Sequence, residues 1–304
     1  MRPVDLQVNG YAGADFSATD LTLDQCRAAC AALAADGVDA ILATLITDSI
    51  DALAARLRRL TAFRDADATV RSMIAGFHLE GPFLSPQPGF VGAHDVRWIR
   101  PADPDAMALL LDAGGGLVRL VTLAPEQDPD CRTIDLLVRR GVAVAAGHTD
   151  ATLPQLHRAI AAGVSLITHL GNGCPVVLPR HDNIIQRMLA AADQLMVCFI
   201  PDGIHVPFFA LRNYLAVVGI ERCIMVTDAI SAARLGPGLH RLGGEPVEVD
   251  AGGAARRPGA ANLAGSTLTM PQLRKNLGCD LGFAEPDLVR VLDTNPRAAV
   301  RLEG

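Results

Sequence analysis

Residues 76–83 read GFHLEGPF, an apolar run that ends in a carboxylate, Glu80. Phe77, Leu79 and Phe83 surround that carboxylate, and Gly81-Pro82 turns the chain directly after it. An unpaired buried charge is very costly, so Glu80 is either exposed or met by a cation or hydrogen-bond donors from elsewhere in the chain. The run itself is short and apolar on both parities, the pattern of a strand buried on both faces.

The same kind of run recurs along the chain, separated by helical patterns. Strands are expected at Val4–Val8, Ala40–Ala43, Met73–Leu79, Leu117–Leu123, Val142–Ala146, Ser165–Thr168, Leu195–Ile200 and Cys223–Val226. Helices are expected at Leu23–Ala35, Ile50–Phe63, Asp103–Asp112, Cys131–Arg140, Leu153–Ala162, Ile184–Ala192 and Phe208–Val218. Gly37, Gly141, Gly163 and Gly219 fall between a helix and the next strand, where a left-handed residue ends a helix. Eight such repeats predict a TIM-type (β/α)8 barrel of the α/β class. A Gly/Pro-rich stretch, Leu235–Gly265, follows with a hairpin expected from Leu239–Leu242 and Pro246–Val249, then two closing helices near Met270–Leu277 and Glu285–Val300. No linker divides the 304 residues, so a single domain over 1–304 is expected.

Half the residues are apolar and a fifth are charged, enough for a large core and unlike a disordered chain. The net charge of −6 argues against nucleic acid as a partner. No apolar run approaches the roughly 18 residues of a membrane span, and no signal-like segment follows Met1, so a cytoplasmic protein without membrane partners is expected. The seven cysteines include no CxxC pair and read as small buried hydrophobes.

Barrel chemistry collects at the C-terminal ends of the strands. In this chain those ends carry Gln7 and Asn9, His78 and Glu80, His148, His169, Asp202 and His205, and Asp228. Any one histidine there is ordinarily a hydrogen-bonded core residue; their recurrence at one end is what argues for a site. Glu80, His148 and His169 offer one carboxylate and two imidazoles, a set suited to one divalent ion, Zn²⁺ first, with Fe, Mn or Co as alternatives. Asp228 on the last strand is the candidate acid/base. Gln7 and Asn9 occupy strand one, where many metallohydrolase barrels have a His-x-His pair. Amides are weak zinc ligands, and the single lysine, Lys275, lies far beyond strand eight, so no carboxylated lysine can bridge two ions. One metal rather than two is expected. Gln7 and Asn9 either cap the turn after strand one or support the site. His78 shares a strand face with Glu80 and is a candidate supporting residue.

The chain resembles the N-acetylglucosamine-6-phosphate deacetylases of the amidohydrolase superfamily. The resemblance rests on DLQVNGYAG (5–13), GFHLEGPFL (76–84), GAHD (92–95), AAGHTDAT (145–152), THLGNGCP (168–175), DGIHVP (202–207), VTDAISAA (226–233), LAGSTLTM (263–270) and NPRAAVRL (295–302). It implies that Glu80, His148 and His169 hold the metal and that Asp228 is the catalytic acid/base. It implies that His205 contacts the acetyl group or sugar, and that Asn172 and the Gly173 backbone hold the sugar phosphate. It further implies that Arg180 reaches the phosphate bound to a neighbouring subunit, hence a homodimer, and that His94 lies near the sugar.

The chain also departs from that family. Strand one begins at Val4, so the small β-sandwich usual in the family is expected to be absent. Asn172-Gly173-Cys174 replaces an Asn-Ala-Met loop, and Phe90-Val91 replaces basic residues before GAHD. The expected function is removal of acetyl from an N-acetylamino sugar, N-acetylglucosamine-6-phosphate or a close relative. The alternatives are another amidohydrolase, acting on cyclic amides or as a deaminase, and a catalytically silent sugar-binding barrel.

Overall fold

Each apolar run becomes a parallel strand. In the computed structural model, which describes residues 1–260 and 262–302, eight strands are hydrogen-bonded in sequence order: β1 Val4–Val8, β2 Ala40–Ile46, β3 Ile74–Glu80, β4 Val118–Leu123, β5 Ala143–Ala146, β6 Val164–Ile167, β7 Met196–Phe199 and β8 Cys223–Met225. Helices follow them on the outside: α1 Leu23–Ala35, α2 Ile50–Ala66, α3 Pro104–Ala113, α4 Arg132–Arg139, α5 Leu153–Ala162, α6 Ile184–Ala190 and α7 Phe208–Val218. The expected barrel is therefore present. Side chains supply the helix starts. Thr22 and Thr152 form capping boxes with Gln25 and Gln155, and Asp103 accepts from the N–H groups of Asp105 and Ala106 ahead of α3. Gly163 closes α5 with φ of 118°, a conformation that favours glycine.

β2 is longer than the sequence predicted, running on through Thr44, Leu45 and Ile46. The extension places Thr44 inside the barrel beside His78. From there a chain of side-chain hydrogen bonds crosses the interior: Thr44 Oγ1 to His78 Nδ1 at 3.3 Å, His78 Nε2 to Thr122 Oγ1 at 2.8 Å, and Thr122 Oγ1 to Thr168 Oγ1 at 2.7 Å. All four residues are buried, so each polar atom must find its partner within the protein.

The barrel closes between its first and last strands with few ladder bonds. Val8 and Ala229 form a parallel bridge, and the Ala229 carbonyl accepts from the N–H of Asn9 at 2.7 Å and of Gly10 at 3.2 Å. Lower in the seam the carboxylate of Asp5 bonds both strands. It accepts from Gln7 N–H at 3.2 Å, from Thr227 N–H at 3.2 Å, and from the Thr227 hydroxyl at 2.6 Å. Asp5 is wholly buried, and burial pushes its pKa up to about 7 despite these bonds.

The expected hairpin is present and gains a third strand: β9 Gly238–Leu242, β10 Glu245–Val249 and β11 Ala255–Arg256 form an antiparallel sheet. Its inner residues Leu242, Val247, Val249 and Ala255 make a second core with Ile46, Ile230, Ala232 and Ala264, which seats the sheet over the end of β2. Short helical segments near Met270–Lys275, Glu285–Val289 and Asn295–Ala299 complete the described chain. Among the described residues no helix is long and apolar enough to cross a membrane, and all seven cysteines are free.

Candidate metal centre

Four polar residues converge because of where their strands stop. Glu80 is the last residue of β3. His148, His169 and Asp228 lie just beyond β5, β6 and β8, with φ of 50°, 26° and 50°. Left-handed backbone at a residue with a side chain costs about 1–3 kcal/mol and persists only where the surroundings impose it. All four side chains line one cavity of about 450 Å³, a volume suited to a small organic ligand.

The donor set fits a cation. Glu80 Oε1 lies 3.0 Å from His169 Nε2 and 3.3 Å from His148 Nε2, with all three residues buried. The other ring nitrogen of His148, Nδ1, faces the carbonyl of Phe90 at 2.7 Å. A carbonyl only accepts, so Nδ1 carries a proton, which leaves Nε2 as the ring atom able to offer a lone pair to a cation. Nε2 faces the carboxylate oxygen of Glu80 at 3.3 Å, an arrangement that a cation shared by the two can bridge. Ligand bonds of the zinc type, roughly 2.0–2.2 Å in a tetrahedron, would separate neighbouring donor atoms by about 3.3 Å. The two carboxylate–imidazole separations are of that size, and all three donor atoms lie within 4.8 Å of one another.

His148 is also held sterically. A Cβ on Gly92 would lie 2.7 Å from its Cε1, and one on Gly173 would lie 2.9 Å from its Nδ1. Both glycines have positive φ. The ring therefore sits in a slot between two backbone segments, with the Phe90 carbonyl setting its tautomer.

The electrostatics follow the crowding. Burial raises the pKa of Glu80, but its close contacts with the ring nitrogens of His148 and His169 outweigh it and hold the carboxyl well below its ordinary range. Burial lowers that of His169, yet its contact with Glu80 leaves it raised. Burial first, and then repulsion from Glu80, push Asp228 up to about 6.

The fold has solved counterparts. A variant of the Mycobacterium smegmatis N-acetyl-D-glucosamine-6-phosphate deacetylase, in complex with N-acetyl-D-glucosamine-6-phosphate, superposes with a TM-score of 0.88 at 35% identity. The match covers 99% of this chain and 77% of that one. The chain belongs to the N-acetylglucosamine-6-phosphate deacetylase family. The Thermotoga maritima deacetylase has a TM-score of 0.87 at 28% identity, covering 99% and 78% of the two chains. The Bacillus subtilis deacetylase is 33% identical over 222 residues, 73% of this chain and 55% of its own length. The chain thus spans little more than half the length of such curated relatives. No protein-family profile matches it. As a member of this deacetylase family the chain is an amidohydrolase homologue with a buried Glu-His-His cluster able to hold a metal ion.

The remaining predicted residues divide into those the cavity gathers and those it does not. His94, Asn172, Gly173, His205 and Asn9 line it. Burial lowers the pKa of His94 to about 3, so its ring is neutral. Its Nδ1 accepts from Thr47 N–H at 3.3 Å, which leaves the proton on Nε2, 3.8 Å from Glu80 Oε2. Asn172 is turned back by its own loop, giving both its backbone N–H and Nδ2–H to the His169 carbonyl at 3.0 and 3.1 Å. Gln7 Nε2 donates to Glu80 Oε1 at 3.0 Å, and Asn9 Nδ2 donates to Asp228 Oδ1 at 2.7 Å. These amides therefore support the two carboxylates. His78 bonds Thr122 and Thr44 and makes no hydrogen bond with the Glu80 side chain. Arg180 is exposed and does not line this cavity.

Sequence reading placed Asp202 at the end of strand seven without a role, and passed over one contributor. Asp202 Oδ2 meets His205 Nδ1 at 2.6 Å, a pairing that the three-residue spacing could have signalled. The Phe90 carbonyl has no signal in the sequence, because any residue would supply it.

Proposed function

We propose that the protein hydrolyses the acetamide of an N-acetylated amino sugar, with N-acetylglucosamine-6-phosphate as the leading substrate. The observation that carries this reading is the convergence of Glu80 Oε1, His148 Nε2 and His169 Nε2 in the cavity that also holds Asp228.

Glu80, His148 and His169 would hold one divalent ion, most simply zinc. When bound, such an ion polarises a carbonyl and lowers the pKa of water. Asp228 has one carboxyl oxygen held by Asn9, and the carboxylate takes a proton from the attacking water. As the carbon–nitrogen bond breaks, it returns that proton to the amine, leaving acetate and the free amino sugar. His94, neutral with its proton on Nε2, donates to oxygen of the substrate acetyl group or sugar. His205 is fixed through Nδ1 by Asp202 and offers its other nitrogen to the same substrate. Asn172 and Gly173 shape the sugar side of the cavity. Arg180 lies next to the exposed Val176 and Val177 in one loop, a placement that supports service to a neighbouring copy in a homodimer.

The test is product analysis with metal-loaded protein. Acetate release from N-acetylhexosamines, with and without 6-phosphate, is expected. Release of ammonia, or turnover confined to cyclic amides, would overturn the reading.

A further inference from the structure

A carboxylate outside the cavity holds the turn that carries His148. His148 has φ of 50°, and such backbone persists only where its surroundings impose it. Thr149 and Ala151, just after it, are buried, so their polar groups need partners within the protein. Glu126, in the loop after β4, supplies them. Its Oε1 accepts from the Asp150 N–H at 2.8 Å, and its Oε2 accepts from the Thr149 hydroxyl. That hydroxyl accepts in turn from the Ala151 N–H at 2.9 Å. One carboxylate thus fixes the three residues that follow the histidine. Hydrogen bonds to an ionised group are roughly twice as strong as neutral ones, which suits a carboxylate to restraining a strained turn.

The loop of Glu126 is itself anchored beside Glu80. The Ala124 N–H donates to the Phe83 carbonyl at 2.8 Å, and the Ser85 N–H donates to the His148 carbonyl at 2.9 Å. The segment after Glu80, the loop of Glu126 and the His148 turn therefore close into one frame. From the opposite side Arg187 of α6 grips the same turn. Its Nη1 donates to Asp150 Oδ1 at 3.0 Å and to the Ala151 carbonyl at 3.2 Å. Glu126 does not line the cavity, so it reaches the site only through this turn.

We infer that Glu126 is a positioning residue for the metal centre, whose carboxylate keeps the His148 ring in its slot with Nε2 facing Glu80. The inference rests on the reading of Glu80, His148 and His169 as metal ligands. Without that carboxylate the Asp150 N–H and the Thr149 hydroxyl lose their acceptor. The backbone of His148 then relaxes from its strained conformation and withdraws the ring from its partners.

The test compares full-length wild type, Glu126→Ala, Glu126→Gln and Asp128→Ala. Asp128 is the control in the same loop, because its Oδ2 accepts from the N–H groups of Thr133 and Ile134, at 3.0 and 2.9 Å, and so starts α4 instead. Zn²⁺ affinity is read by chelator competition, the ligand field by the absorption spectrum of Co²⁺-loaded protein, and stability by thermal melts. In metal-free protein the Nδ1–H resonance of His148 is followed by NMR. The metal dissociation constant is expected to rise about 10- to 100-fold in Glu126→Ala, with an altered Co²⁺ spectrum. A smaller rise is expected in Glu126→Gln, which keeps one acceptor oxygen. Asp128→Ala is expected to melt at lower temperature with metal affinity and spectrum unchanged. Wild-type affinity and spectrum in folded Glu126→Ala overturn the inference, as does an equal loss of affinity in Asp128→Ala. If wild type takes up no metal, the metal reading fails and the ring signal decides. Loss of the His148 Nδ1–H resonance in Glu126→Ala alone then sustains the role of Glu126, and its retention overturns that role.

Discussion

Asn9 Nδ2 donates to Asp228 Oδ1 across 2.7 Å, joining the end of the first barrel strand to the end of the last. This bond stabilises the ionised carboxylate and opposes the burial that raises its pKa. Asn9→Ala is therefore expected to shift the acid limb of the kcat profile to higher pH, because Asp228 then keeps its proton longer. A pH–rate series on wild type and variant measures the shift. An unmoved limb would remove Asn9 from the account.

Asp228→Asn keeps the shape of the side chain and removes its basicity. Turnover is expected to fall about 10²- to 10⁴-fold, with metal content unchanged by elemental analysis. Near-normal acetate release from this variant would show that another group moves the proton.

Gly92→Ala is expected to displace His148, since the new Cβ would lie 2.7 Å from its ring at a φ of +60°. Changes that disturb the orientation of a ligand typically cost about 10- to 100-fold in metal affinity. Competition with a chelator, followed by metal analysis, reads the loss. Gly278→Ala is the control, because nothing lies within 4 Å of its added methyl.

Asp5 makes stability depend on pH. Its folded-state pKa is raised to about 7 from an ordinary 3.8, chiefly by burial. Below pH 3.8 both folded and unfolded chains hold this proton. Between 3.8 and about 7 only the folded chain holds it, so stability falls as pH rises through that window, by an amount of order 4 kcal/mol, and then levels. Denaturant melts at pH 4.5 and pH 7.5 are expected to show a smaller difference in Asp5→Asn than in wild type. An equal difference in both proteins would contradict the assignment.

The barrel was legible because its strands are continuous apolar runs punctuated by Gly37, Gly141, Gly163 and Gly219, and that pattern is local. Glu80, His148, His169 and Asp228 were legible because strand ends are where a barrel places chemistry. The left-handed backbone of His148, His169 and Asp228 was not, because histidine and aspartate do not advertise a positive φ as glycine does. The role of Asp5 was not legible either, since its partner Thr227 is 222 residues away. Long-range folding set these features, and local pattern could not.

The seam between β1 and β8 also orders the birth of the site in time. A ribosome has delivered Gln7, Glu80, His148 and His169 once residue 169 is made, yet Asn9 must wait for its neighbours across the seam. Asp228 and Ala229 arrive some sixty residues later, and only their meeting with Asn9 completes the ring. Contacts of such long sequence separation form slowly. The nascent chain therefore passes through a stage in which it holds a full set of metal donors but no closed barrel and no base. Chaperone engagement and metal capture during synthesis would meet different molecules before and after that closure.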